Sequence, residues 1–378
     1  MRWFRVSLAL AAAAAAVGAA AAPEQQFTAA IDQLASGERA AAERTLQELV
    51  ANAPDFPLAQ QFLDDLQTRL PKRSTAGALS ELAEEGRIRL DSELAVPADG
   101  TIPDSVLQLA GGFRHVIAVD LPRARLYVLE NREDGLHLVR SHYAAMGRQG
   151  WGKRTTGDLR TPIGVYHITG WIDGAELPPL YGAGAFPLDY PNFWDRYKQR
   201  TGHGIWLHGV PNETGTRAPR SSQGCVTMAN ADLRALQPYV EQGRTPVILS
   251  DALRWATPEA VQAERKLFDD RLEAWRAAAE SGDADGYLTL YAAEFRARDG
   301  SNYDRFAEQR RNDPALLGGK FAIEELSVYR YPGAGDQLLL AEFDAVSETG
   351  GETQRQRRQL YWKLDGDGEW RIFRDELP

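Results

Sequence analysis

Apolar positions along the chain switch from a helical spacing to a strand-like one and back. Between residues 24 and 71, Phe27, Ile31 and Leu34, then Leu46, Leu49 and Val50, then Leu58, Phe62, Leu63 and Leu66 recur three or four apart. That spacing lays a stripe along an amphipathic helix. Gly37 and Pro54 punctuate the stripes, so the segment predicts short helices joined by tight turns, a packing or dimerisation arm. The polar stretch 72–111 predicts a linker. From His115 the spacing becomes two, in HVIAVDLPRARLYVLE, LHLVRSHYAAMG, GVYHITGW, GIWLHGV and TPVILSDA, which predicts half-buried strands between Gly- and Pro-rich loops. Before the last of these, Asn230 is placed to cap a helix carrying Leu233, Leu236 and Val240 on one face. A β-rich domain over 112–252 follows.

Past Ala252 the helical spacing returns in FDDRLEAWRAAAESGDADGYLTLYAAEF and YDRFAEQRR, and four strand-like runs end the chain. Leu339, Ala341, Phe343 and Ala345 share one strand face, and Leu360, Trp362 and Leu364 share another. Helices first and an antiparallel sheet second predict an α+β unit over 258–378. Its aromatics, among them Trp275, Tyr287, Tyr291 and Trp362, read as core, and Arg355, Arg357 and Arg358 as a solvated strand face.

Charge and cysteine usage narrow the setting. With 43 basic and 53 acidic side chains in 378 residues, the net charge of −10 argues against a nucleic-acid surface. The N-terminus places Arg2 and Arg5 before an Ala-rich apolar run that ends in small residues at Ala22 and Pro23. This predicts a cleaved export signal over residues 1–22 and a periplasmic mature protein. Cys225 is the only cysteine, so no internal disulfide can form and an exported chain must either bury the thiol or use it.

The surroundings of Cys225 favour use. His208 lies seventeen positions upstream in GIWLHG, where alternation sets Trp206 and His208 on one strand face and Ile205 and Leu207 on the other. An ordinary thiol is only about 3 per cent thiolate at pH 7, and an adjacent imidazolium raises that fraction roughly thirtyfold. Backbone N–H groups at Gly224 and Cys225 are candidates to hold a tetrahedral oxyanion. The carbonyl of Gly209 is the candidate that orients the histidine, since no acidic residue adjoins it. His203 and His208 are five apart on a strand and face opposite ways, which argues against a metal pair.

The segment HG…SSQGCV, with GDLRTPIGVYHIT upstream, resembles the catalytic domain of the L,D-transpeptidase (YkuD) family over roughly residues 113–251. The motif positions are His208, Ser222, Gly224, Cys225 and Val226. Gln223 stands where many members have His, and Thr227 where many have Arg; Arg220 is then the candidate to meet a substrate carboxylate. The resemblance implies a cysteine acyl-enzyme, peptidoglycan stem peptides as substrates, carbapenem β-lactams as inhibitors, and neither metal nor cofactor. The C-terminal unit resembles the NTF2-like (SnoaL-like) cone, and the three-part order resembles cell-shape-determining L,D-carboxypeptidases. The expected architecture is therefore multidomain: a β-rich catalytic domain between a helical arm and an α+β tail. The expected reaction attacks residue three of a tetrapeptide stem and passes the acyl group to an amine. Transfer to water, or a silent wall-binding scaffold, are the alternatives. Tyr181, Tyr190, Phe193 and Trp194 supply material for a lid over the site, and the helical arm for a homodimer.

Overall fold

The computed structural model describes residues 22–71, 74–212, 214, 217–313, 317, 320–333, 337–349 and 352–376. The export signal expected over 1–22 lies, but for Ala22, outside the described residues. No helix among the described residues is long and apolar enough to cross a membrane. The chain divides into two compact units between Leu90 and Asp91.

In the first unit, helices Pro23–Ala35, Arg39–Asn52 and Pro57–Arg69 follow the predicted stripes. Phe27, Ile31, Leu46, Leu49, Phe62 and Leu66 are buried together, and the Phe27 and Phe62 rings meet edge to face at 5.2 Å. The stretch expected as a linker instead holds a nineteen-residue helix, Ala76–Leu94. Its Leu79, Leu82, Ala83 and Leu90 enter the same core. These apolar positions do keep helical spacing, but Glu and Arg residues between them lower the stretch's hydrophobicity and hide the stripe. Gly86 is required by closeness: a Cβ there would lie 2.7 Å from the Phe62 ring.

The second unit begins with the catalytic-type β region. Its main sheet runs in the order Gly135–Tyr143, Arg125–Arg132, His115–Asp120, Pro246–Ser250, Gly164–His167. The central pair His115–Asp120 and Pro246–Ser250 is parallel and fully buried, not half-buried as the spacing of two predicted, because the middle of the sheet is covered on both faces. A smaller sheet, ordered Val226–Thr227, Trp206–His208, Gly184–Pro187, Ile172–Asp173, carries the candidate site.

Helices Pro258–Ser281, Ala284–Thr289 and Tyr303–Asn312 then lead into a six-stranded sheet. The predicted tail strands appear as Phe321–Arg330, Leu338–Thr349, Glu352–Leu364 and Trp370–Glu376. The edge strand Val106–Gln108 comes from the segment before the catalytic region, so the tail sheet is completed by residues more than 200 positions upstream. Trp275, Tyr287, Tyr291 and Trp362 are core. Arg358 departs from the expected solvated face. In strand Glu352–Leu364 it shares the inward parity of Leu360 and Trp362, pairs with Asp375, and lies 5.1 Å from the Trp275 ring centroid.

A buried ion pair joins the catalytic region to the tail sheet. His167 Nε2 sits 3.3 Å from Glu342 Oε2 and Nδ1 sits 3.5 Å from Asp189, with the Glu342 side chain only 2% exposed. Burial alone would lower the His167 pKa, but Glu342 and Asp189 more than reverse this and raise it to about 10. A histidine whose folded pKa is raised contributes stability that is fully present below its unfolded value, about 6.5, and is lost as pH climbs through the folded value. His167→Ala should destabilise the second unit by about 1–3 kcal/mol at pH 6, because it leaves the buried Glu342 carboxylate with only Gln359 at 2.6 Å and Arg357 at 3.9 Å. Urea melts should show this difference shrinking between pH 6.5 and about 10. A constant difference across that window would contradict the ion pair.

Candidate active site

Strand register sets His208 and Cys225 on one face. Trp206–His208 runs parallel to Val226–Thr227, with Leu207 opposite Val226 and His208 opposite Thr227. Cys225 immediately precedes that strand, and extending the register sets it opposite Trp206 and so on the face of Trp206 and His208. Leu207 and Val226, both fully buried, pin this register from the other face.

The histidine's tautomer follows from one contact. Its Nδ1 is 2.7 Å from the Gly209 carbonyl. A carbonyl only accepts, so Nδ1 carries the proton and Nε2 is left with its lone pair. The ring is 3% exposed and meets Tyr181 edge to face at 4.8 Å. Burial, helped by the Arg217 charge and opposed by the Gly209 carbonyl, lowers the His208 pKa to about 4. The thiol moves the opposite way: burial raises its pKa, partly offset by the Trp206 backbone and the Lys153 charge. The expected imidazolium–thiolate couple is thus corrected. Both partners rest neutral, because each ion would lose more hydration in this enclosure than its neighbours return. The Cys225 thiol donates to the Gly204 carbonyl at 3.4 Å.

The turn before the cysteine is built by Ser222 and Gly224. Ser222 is buried, its hydroxyl donates to the Cys225 carbonyl at 2.6 Å, and it accepts from the Gly224 N–H at 3.0 Å. The Gly224 N–H, expected to face an oxyanion, is committed to that turn. Gly224 has φ +131°, and a Cβ would come 2.9 Å from the Arg160 carbonyl, so only glycine fits. Arg220 is exposed and lies over the Trp151 ring at 5.8 Å. The cation that His208 feels is the half-buried Arg217.

Asn230 has a role that its capping position concealed. Helix Asn230–Leu236 begins after Ala229 without a side-chain cap. Asn230 Oδ1 instead accepts from Ala183 N at 2.9 Å and Val210 N at 3.1 Å, and its Nδ2 donates to Val210 O at 2.8 Å. It ties the Tyr181 loop to the end of the His208 strand. Gly209 is glycine because a Cβ would sit 2.2 Å from Asn230 Oδ1. The segment expected as a lid divides in two. Tyr181 stands beside His208 and Trp206, whereas Phe193 and Trp194 pack on Tyr361, Tyr331 and Phe373 of the tail.

Comparison with known proteins agrees with this geometry. Residues 114–249 match the family model of the L,D-transpeptidase catalytic domain (YkuD), and residues 267–376 match that of the Cds6 C-terminal NTF2-like domain. The chain therefore carries an L,D-transpeptidase catalytic domain behind N-terminal helices and ahead of an NTF2-like domain. Among solved structures it is similar to Bd1075 of Bdellovibrio bacteriovorus, at 27% identity over 73% of this chain and 98% of that one, with a TM-score of 0.63. It also shares the fold of Pgp2, a helical cell shape determining protein of Campylobacter jejuni, at 21% identity over 76% and 99%, with a TM-score of 0.60. Among curated proteins, none matches the chain in sequence.

Proposed function

We propose that the protein is an exported cysteine acyl-enzyme that removes the terminal D-alanine from tetrapeptide stems of peptidoglycan, an L,D-carboxypeptidase. The observation that carries the chemistry is the shared strand face of Cys225 and His208, with Nδ1 held by Gly209 and Nε2 left as acceptor. As Cys225 Sγ attacks the carbonyl carbon of residue three, its proton passes to His208 Nε2. The tetrahedral intermediate expels the D-alanine amine, which takes that proton, leaving a thioester. Water then attacks, gives a proton to His208, and the thiolate leaves and recovers it. Gly209 holds the ring in the one tautomer able to do this. The leader read at residues 1–22 supports action in the periplasm.

Water is favoured as acceptor because an amine competes with about 55 M water only where extra walls position it. Of the aromatics expected to build such a wall, Phe193 and Trp194 are engaged by the tail sheet, and Tyr181 stands beside His208. The three-part likeness to a cell shape determining protein points the same way. Transpeptidation is the second reading, supported by the family of the catalytic domain. Purified protein given tetrapeptide muropeptides alone should yield tripeptide and free D-alanine without dimers, read by mass. Dimers joined through 3-3 cross-links would transfer the assignment to the transpeptidase.

A further inference from the structure

The short helix Phe193–Tyr197 is held from both sides. Its Asn192 and Asp195 form a reciprocal capping box. Asn192 Nδ2 reaches past it, donating to the Tyr331 hydroxyl at 2.7 Å and the Val165 carbonyl at 2.9 Å. Tyr331, just beyond tail strand Phe321–Arg330, is 1% exposed. Asp195 is fully buried and accepts from the Tyr166 hydroxyl and Arg200 Nη1, each at 3.0 Å. Arg200 also returns its backbone N–H to the Asp195 carbonyl at 2.8 Å.

From Arg200 the chain runs directly to the thiol. Thr201 N donates to the Arg154 carbonyl at 2.9 Å, its Oγ1 accepts from Thr156 N at 3.0 Å, and its carbonyl accepts from the Tyr190 hydroxyl at 3.1 Å. Gly202 lies over Lys153, where a Cβ would come 3.0 Å from Cε. Gly204 then presents the carbonyl that accepts the Cys225 thiol. An unbroken series of hydrogen bonds and five residues of chain thus connect the tail sheet to the reacting sulfur.

We infer that the NTF2-like domain completes the active site, with Tyr331 as a positioning residue that acts through Asn192 and Asp195 to fix the Gly204 carbonyl against Cys225. A buried carboxylate with three donors has a single low-energy arrangement, so the Arg200–Gly204 segment inherits its position from the helix that Tyr331 anchors. Tyr331 touches no substrate. Its contribution is to hold the thiol's rotamer and proton in place, and small displacements at a reacting atom cost large factors in rate. This rests on Cys225 being the nucleophile.

The test uses Tyr331→Phe in the full chain, which removes one hydroxyl from the pair, and Asn192→Ser, which keeps a capping oxygen but cannot reach Tyr331. Both should lower kcat about tenfold with KM within about twofold. Both should also shift the pH midpoint of Cys225 alkylation by iodoacetamide by about half a unit or more, as the carbonyl that holds the thiol proton loosens. A lowered melting temperature with kcat and the alkylation midpoint unchanged in both variants overturns the inference, leaving the contact purely structural. Full activity in Cys225→Ser would instead overturn the reading on which it rests.

Discussion

Cys225→Ser should lose at least about a thousandfold in turnover of tetrapeptide substrate, with the melting temperature nearly unchanged. Cys225 is the chain's only cysteine, and its surroundings raise the thiol pKa, so even the thiolate is hard to form. An alkoxide, less polarisable and of far higher proton affinity, is out of reach for a neutral imidazole in the same enclosure. Serine fits the volume, and its hydroxyl can donate to the same Gly204 carbonyl, so the fold should persist. Mass analysis of products at matched enzyme concentration separates this outcome from partial activity. Loss of less than about tenfold would place the nucleophile elsewhere.

His208→Ala should cost about 10²–10⁴ in kcat/KM, the range of a positioned general base. The pH profile carries the sharper sign. A base works in its neutral form, and burial holds the imidazole pKa to about 4. The acid limb of kcat/KM should therefore fall near pH 4, not at the ordinary histidine value of about 6.5. In His208→Ala that limb should vanish along with most of the rate. Alkylation of Cys225 in the wild type should rise with a midpoint above that of a free thiol, consistent with a pair that rests neutral and transfers its proton only as substrate displaces water. An acid limb at 6.5 would instead indicate a hydrated imidazole.

Much of this site was legible before the fold. Alternation in GIWLHG set His208 away from Leu207, and a single thiol in a chain whose leader predicts export demanded an explanation. The parallel register that puts Cys225 on the His208 face was not legible, since it depends on Leu207 and Val226, nineteen positions apart, meeting as neighbours. Neither was the neutral state of the pair, because motif spacing carries no information about burial. Arg358 could have been placed from parity alone: it shares the even-numbered face of Leu360 and Trp362, while on the other face Arg355 is exposed beside Asp344 and Arg357 is half-buried over the Phe113 ring. The fate of Phe193 and Trp194 was hidden, for an aromatic run reads the same whether it covers a site or docks on another sheet. The His167–Glu342 pair joins residues 175 positions apart, and each alone looks like a routine polar residue on a strand.

The acyl-enzyme itself is the most direct test. Wild-type protein quenched in acid during steady-state turnover of a tetrapeptide muropeptide should carry the mass of the tripeptidyl acyl group. Peptide mapping should place that mass on the Cys225 fragment, and neutral hydroxylamine should release it as a thioester. Turnover with no adduct on Cys225, or with the adduct on another residue, would contradict the account.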